Sequence, residues 1–177
     1  MKNILIVLVA IMGFGINISA QGYYNVQKNN GKWEVYNSNN SYVISGRAER
    51  VDNNYYNVQK SNGSWDVYNS NMSYVISGQA EKVDDIYYNV QKSNGNWDIY
   101  NSNMSYVTSG RVEKVDNDYY NVQKSNGSWD VCNSNMSYVT SGRAEKNSAG
   151  TYNVLKNNGK WEIYNENMNY QTSGRIY

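Results

Sequence analysis

Glu34, Asp66, Asp98, Asp130 and Glu162 each follow a tryptophan directly. In four of the five cases a tyrosine stands two residues further on, as Tyr36, Tyr68, Tyr100 and Tyr164. If the tryptophans face a core, strand alternation turns these acids and tyrosines outward together. A carboxylate, a phenol and neighbouring asparagine amides can satisfy sugar hydroxyls while an aromatic ring covers a pyranose face. These nine residues are therefore the candidate ligand-binding set. A solvated face that keeps a sheet soluble is the plainer reading of the same pattern.

Other chemistry is poorly supported. Histidine is absent, which removes a Ser-His-Asp relay, a Cys-His pair and the usual zinc ligand sets. Glycoside hydrolysis needs two carboxylates tuned differently about one sugar, whereas these five are alike. Cys132, the only cysteine, holds a place that is tyrosine in the other copies. It reads as a substitution that leaves an exposed thiol able to cross-link chains. Asp52, Asp84, Asp85, Asp116 and Asp118 form no Asp-x-Asp-x-Asp-Gly loop and suit turns better than calcium. Met72, Met104, Met136 and Met168 fit packing at a turn edge. Arg47, Arg111, Arg143 and Arg175, with Gln79 in the remaining copy, read as a surface ion-pair strip. No catalytic residue, metal site or cofactor is expected, and the chain is not expected to be an enzyme.

Residues 1–20 differ in kind from the rest. Lys2, the apolar run Ile4–Ile16 and the small pair Ser19-Ala20 spell a secretory signal peptide cleaved after Ala20. Residues 21–177 then form a single β-repeat domain with no integral membrane segment. Its place is outside the cell or on its surface, or the periplasm if only an inner membrane is crossed. Without Lys2, 15 basic residues balance 15 acidic ones. A neutral chain has no field with which to collect nucleic acid.

What positions the candidate residues is a repeat. Trp33, Trp65, Trp97, Trp129 and Trp161 stand 32 residues apart and mark units 23–54, 55–86, 87–118, 119–150 and 151–177. A unit so small cannot bury its own apolar face, so neighbours must supply a shared core. Within the second unit, Tyr55–Lys60 and Trp65–Tyr68 flank Asn62-Gly63, the strongest short hairpin signal. A two-residue turn there puts Lys60 opposite Trp65 and Val58 opposite Val67, with Tyr56, Val58, Trp65 and Val67 on the buried face. The five tryptophans are then the structural core. A second turn at Asn71-Met72 leads into a third strand, with Ile76 opposite Val67 and Gly78 beside Trp65.

The fold expected is all-β, five three-stranded antiparallel meanders closed as a propeller-like or barrel-like toroid. A β-solenoid of stacked coils is the alternative. The function expected is a secreted or cell-surface, non-enzymatic repeat protein with several weak sites for glycan or extracellular matrix. A structural, self-associating envelope or fibre protein is the second reading.

Overall fold

The computed structural model describes the backbone of Asn17–Ile18 and residues 22–177. The signal-peptide reading therefore lies outside the described residues, apart from that short stretch of backbone. The chain is all-β, with five four-stranded antiparallel sheets, each an up-and-down meander of the kind that makes a propeller blade. The first sheet takes Asn17–Ile18, Tyr23–Gln27, Trp33–Asn37 and Tyr42–Ser45. The second takes Arg47–Arg50, Tyr55–Gln59, Trp65–Asn69 and Tyr74–Ser77, and the third Gln79–Lys82, Tyr87–Gln91, Trp97–Asn101 and Tyr106–Ser109. Arg111–Lys114, Tyr119–Gln123, Trp129–Asn133 and Tyr138–Ser141 make the fourth; Arg143–Lys146, Tyr152–Leu155, Trp161–Tyr164 and Tyr170–Ser173 the fifth. Two compact units divide the chain, Met1–Tyr74 and Val75–Tyr177.

Four strands replace the expected three because each long third strand breaks at its glycine. Gly46, Gly110 and Gly142 have φ of +131°, +131° and +122°, a turn of the chain that L-residues rarely adopt. The residues after the glycine open the next sheet instead of finishing the old one. Every pairing between described strands is antiparallel and stays inside one sheet, so the coil-on-coil ladders of the solenoid alternative are not formed.

The first hairpin also differs from expectation, by one residue. Lys60 N–H donates to Ser64 O at 2.8 Å and Gly63 N–H to Lys60 O at 2.9 Å, with Gly63 at φ +84°. This is a three-residue loop closed by a left-handed glycine, so Asn62 does not need positive φ. Gln59 consequently faces Trp65, Val58 faces Asp66, and Tyr56 faces Tyr68. A one-residue slip exchanges the faces of a strand. Tyr56 and Val58 therefore share a face with Tyr68 and Asp66, while Val67 and Trp65 turn to the other. The second turn is likewise a three-residue loop, with Asn37 N–H donating to Ser41 O and Asn40 N–H to Asn37 O, both at 3.0 Å. A bulge between Val35 and Tyr36 nevertheless restores the expected register: Val35 faces Ile44, and Gly46 N–H donates to Trp33 O at 2.8 Å.

The core lies between neighbouring sheets within each compact unit. Val35 of the first sheet packs with Ala48, Tyr56, Val58, Tyr68 and Met72 of the second. Ile99 of the third packs with Val112, Tyr120, Val122 and Cys132 of the fourth, and Val131 with Ala144, Tyr152, Val154, Tyr164 and Met168 of the fifth. The fully buried aromatic rings are Tyr56, Tyr88, Tyr120 and Tyr152. The tryptophans, expected as the core, are half-buried at the sheet margins, because the register places them on the last rung before the loop. Cys132 is buried at 8% exposure, and burial raises its thiol pKa. It is a packing residue, contrary to the exposed thiol expected.

Two polar devices tie sheet to sheet. Buried Asn25 donates to Ala48 O and accepts from Ala48 N–H, both at 2.8 Å. Asn89 does the same to Val112, Asn121 to Ala144 and Asn153 to Ile176. The first three carboxamides act as extra peptide units that grip the first strand of the next sheet, and Asn153 holds the segment after the last strand in the same way. The second device is the linking aspartate. Asp84 accepts main-chain N–H bonds from Ile86 and Tyr87, the Tyr120 hydroxyl at 2.6 Å and Lys114 at 3.2 Å. Asp116 is held by Asp118, Tyr119, Tyr152 and Lys146 in the same way.

Burial alone would raise the pKa of Asp84 and Asp116, but the tyrosine hydroxyls and the other donors outweigh it and hold both below the ordinary carboxylate value. Burial, then the bond to aspartate, pushes Tyr120 and Tyr152 well above the usual phenol value. A depressed acid contributes stability that is complete above its unfolded value, about 3.9, and lost as pH falls through the folded one. A raised phenol contributes stability complete below about 10 and lost as pH climbs through its folded value. The urea midpoint should thus be level from about pH 5 to 9 and fall on both sides. In a Tyr120→Phe, Tyr152→Phe variant the midpoint should drop at neutral pH and the alkaline fall should shrink. An unchanged alkaline fall would remove these two phenols from the explanation.

Gly110 and Gly174 provide an internal comparison. Both have φ near +130°. A Cβ on Gly110 would lie 2.7 Å from Gln123 O, whereas one on Gly174 would meet nothing within 4 Å. The glycine therefore makes room for the next sheet. Gly174→Ala should cost about 1–3 kcal/mol from backbone strain alone. Gly110→Ala should cost about 2 kcal/mol more, from the added clash. Urea unfolding of the two variants checks this difference.

Candidate functional site

A lysine pairs with each of the five candidate acids, and in two copies the acid and tyrosine also bond each other. Lys28 donates to the Tyr36 hydroxyl at 2.8 Å, Tyr36 donates to Glu34 at 2.7 Å, and Lys28 lies 3.0 Å from Glu34. Lys156, Tyr164 and Glu162 repeat this arrangement. Lys92 donates to Tyr100 at 3.0 Å, with Asp98 at 3.9 Å. Lys60 pairs with Asp66, and Lys124 with Asp130 at 2.5 Å. The Tyr36 hydrogen bond, then Lys28, lowers the Glu34 pKa.

The outward face assigned to these residues needs correction. Asp66 is 2% exposed, and Tyr68, Tyr100 and Tyr164 are buried, because the hairpin register turns their strand face toward a neighbouring sheet. Glu34, Tyr36, Asp98, Asp130 and Glu162 are half-buried. The tyrosines that do present open rings are a different set: Tyr42, Tyr74, Tyr106, Tyr138 and Tyr170, with Tyr177 beyond the last strand. Tyr42, Tyr106 and Tyr170 each stand edge-on to Tyr36, Tyr100 and Tyr164 and bond the serine three residues on. The sequence pattern placed them at the start of the third strand but drew attention to the tyrosines beside the tryptophan-flanking acids instead.

Two of the half-buried tryptophans, Trp33 and Trp97, each form the wall of a cleft. In the first compact unit a cleft of about 530 Å³ lies among Trp33, Glu34, Ser45, Arg47, Gln59 and Ser61. In the second a cleft of about 430 Å³ lies among Trp97, Asp98, Ser109, Arg111, Gln123 and Ser125. The two sets match position for position at a spacing of two repeats. Each cleft runs from a tryptophan hairpin to the hairpin loop of the next sheet, over the glycine at which the chain changes sheets. Ser109 donates to Asp98 at 2.9 Å and shares a bond with Tyr106, which ties the cleft wall to the exposed tyrosine.

Arginine covers one side of the indole. The guanidinium carbon of Arg47 stands 5.6 Å from the Trp33 ring centre, and that of Arg111 5.1 Å from Trp97, within cation–π range. Arg111, Arg143 and Arg175 also bind Glu81, Glu113 and Glu145 through Nε and Nη2, with Nη2 at 2.7–2.8 Å. Arg47 contacts Glu49 at 3.5 Å and keeps a buried Nε with no hydrogen-bond partner. The arrangement offers hydroxyl, carboxamide, carboxylate and guanidinium groups around an aromatic wall. Among the described residues no group of three or more His, Cys, Asp or Glu could hold a metal ion, and no helix is long and apolar enough to cross a membrane.

No protein-family model and no curated protein matches the chain. Among solved structures, BamB from Moraxella catarrhalis is similar over 91% of this chain and 63% of its own, at 11% identity and a TM-score of 0.38. The C-terminal WD40 domain of Sif2 is similar over 86% of this chain and 54% of its own, at 12% identity and a TM-score of 0.32. The chain thus spans less than two thirds of either protein.

The tryptophans' position gives a stability prediction. Trp97→Ala should cost about 1–2 kcal/mol, since the ring is only partly removed from water. Tyr120→Ala, which empties a fully buried site, should cost about 3–5 kcal/mol. Equal losses in urea unfolding would return the tryptophan to the core.

Proposed function

We propose that this chain is an exported, non-enzymatic repeat protein that binds glycans through several shallow, similar clefts. The observation that carries this reading is the recurrence of one cleft, Trp33 to Ser61 and Trp97 to Ser125, in two separate compact units. A partly open indole supplies an apolar surface for a sugar ring, and the surrounding side chains pair with hydroxyls. Each cleft is shallow and binds weakly. A polysaccharide presents the same group many times, so linked weak sites gain by effective concentration without a deep pocket. Export rests on the leader sequence of residues 1–20. The absence of catalysis rests on the lack of histidine and on tryptophan-flanking acids that are each engaged by lysine.

A panel of soluble glycans titrated against the protein should give saturable binding. A Trp33→Ala, Trp97→Ala variant should bind about tenfold more weakly or worse, while its unfolding remains cooperative. If no glycan binds and sedimentation shows growth with concentration, the chain is instead a self-assembling envelope protein.

A further inference from the structure

The loop contact at Trp129 shows what the Trp33 and Trp97 clefts are built to receive. Asn157, on the loop of the next sheet, accepts the Trp129 main-chain N–H through Oδ1 at 2.9 Å and donates through Nδ2 to Trp129 O at 3.1 Å. That oxygen also accepts from Gly142 N–H at 2.7 Å. A side-chain carboxamide thus fills a paired donor and acceptor on the tryptophan main chain. At the equivalent place the Trp33 cleft has Ser61 and the Trp97 cleft has Ser125, and both line their clefts. Trp33 O and Trp97 O carry the matching glycine N–H at 2.8 Å. Among the described residues no side chain reaches the N–H of either tryptophan. The shorter serine leaves the place of the carboxamide open, beside the indole and the arginine.

We infer that the Trp33 and Trp97 clefts read a vicinal diol of a sugar ring through the tryptophan main chain. One hydroxyl accepts the tryptophan N–H and its neighbour donates to the tryptophan C=O. A gauche diol fits because it sets an acceptor and a donor side by side, as the Asn157 carboxamide does. The acetamido group of an amino sugar does not, because its N–H and C=O point in opposite directions. This inference rests on the glycan reading above and narrows it to glycans whose ring residues keep two adjacent free hydroxyls.

The test uses the full chain with two soluble glucans. A 1,4-linked polymer keeps a free 2,3-diol on every residue, whereas interior residues of a 1,3-linked polymer keep no adjacent pair. The 1,4-linked polymer should bind at least about fivefold more tightly, the scale of a hydrogen-bonded pair, and periodate cleavage of its diols should abolish binding. Ser61→Asn with Ser125→Asn should fill the clefts and weaken binding, and Asn157→Ser should open a third cleft and strengthen it. Near-normal unfolding of these exposed loop variants separates blocked sites from lost structure. Equal binding of both glucans, unaffected by the serine changes, overturns the diol reading and leaves glycan binding intact. Failure of every glycan to bind overturns both.

Discussion

A carboxamide in the middle of a strand is what joins one sheet to the next. Asparagine is poorly suited to a strand interior, and burying its amide unpaired would cost about 1–3 kcal/mol. Here both ends of the amide are used, by the N–H and C=O of one residue in the first strand of the following sheet. That residue, Ala48, Val112 or Ala144, is itself buried. Without the bracket, its peptide groups would face a hydrophobic seam with no partner. The four- and five-residue strands make each sheet small, and the aliphatic packing between sheets is not directional. The bracket gives it direction, fixing which residue of the next sheet sits over each asparagine.

The bracket works only because the chain can leave one sheet and enter the next within a single residue. The glycine that permits this sits against the main chain of the next sheet, with Gln59 O or Gln123 O only 2.6–2.7 Å from where a Cβ would be. This close approach draws the next sheet's loop up to the tryptophan hairpin. The cleft is therefore a by-product of the sheet-to-sheet joint, with one wall from each sheet and a glycine floor. Its shape follows from the core, while its lining belongs to loop residues that the core does not constrain.

Much of the architecture was legible in the sequence. The tryptophan period gave the unit, the Asn-Gly and Asn-Met pairs gave two turns per unit, and the glycine beside tryptophan was placed in its right neighbourhood. The errors came from one residue of loop length and from one strand counted as continuous. Asn62-Gly63 suits a two-residue turn and a three-residue loop equally well by composition, yet the two differ in which strand face is buried. That single ambiguity moved the tryptophans to the margin and drew Tyr68, Tyr100 and Tyr164 inward. The buried asparagines did carry a signal: an amide recurs at the centre of a Tyr-Tyr-Asn-Val-Gln strand, where a solvent-facing residue could vary freely. Its meaning needed the next sheet, 23 residues on, which no local pattern supplies.

The repeat is near-identical where sheets meet and varied where the clefts open. Val35, Val67 and Val131, with Ile99, keep one kind of side chain at a fully buried position. The loop position that reaches the tryptophan main chain is serine at 61 and 125 but asparagine at 157, and the arginine beside the indole is glutamine at 79. A packed interior resists change because even one methylene alters its fit. A loop lining has no such restraint, so each cleft can be filled, opened or recharged separately at little cost to the fold. What does not vary is the tryptophan main chain, whose N–H and C=O are present in every copy whatever the side chains do. A recognition group supplied by the backbone is the part of such a site that substitution cannot remove, and only the neighbouring loop decides whether it is covered.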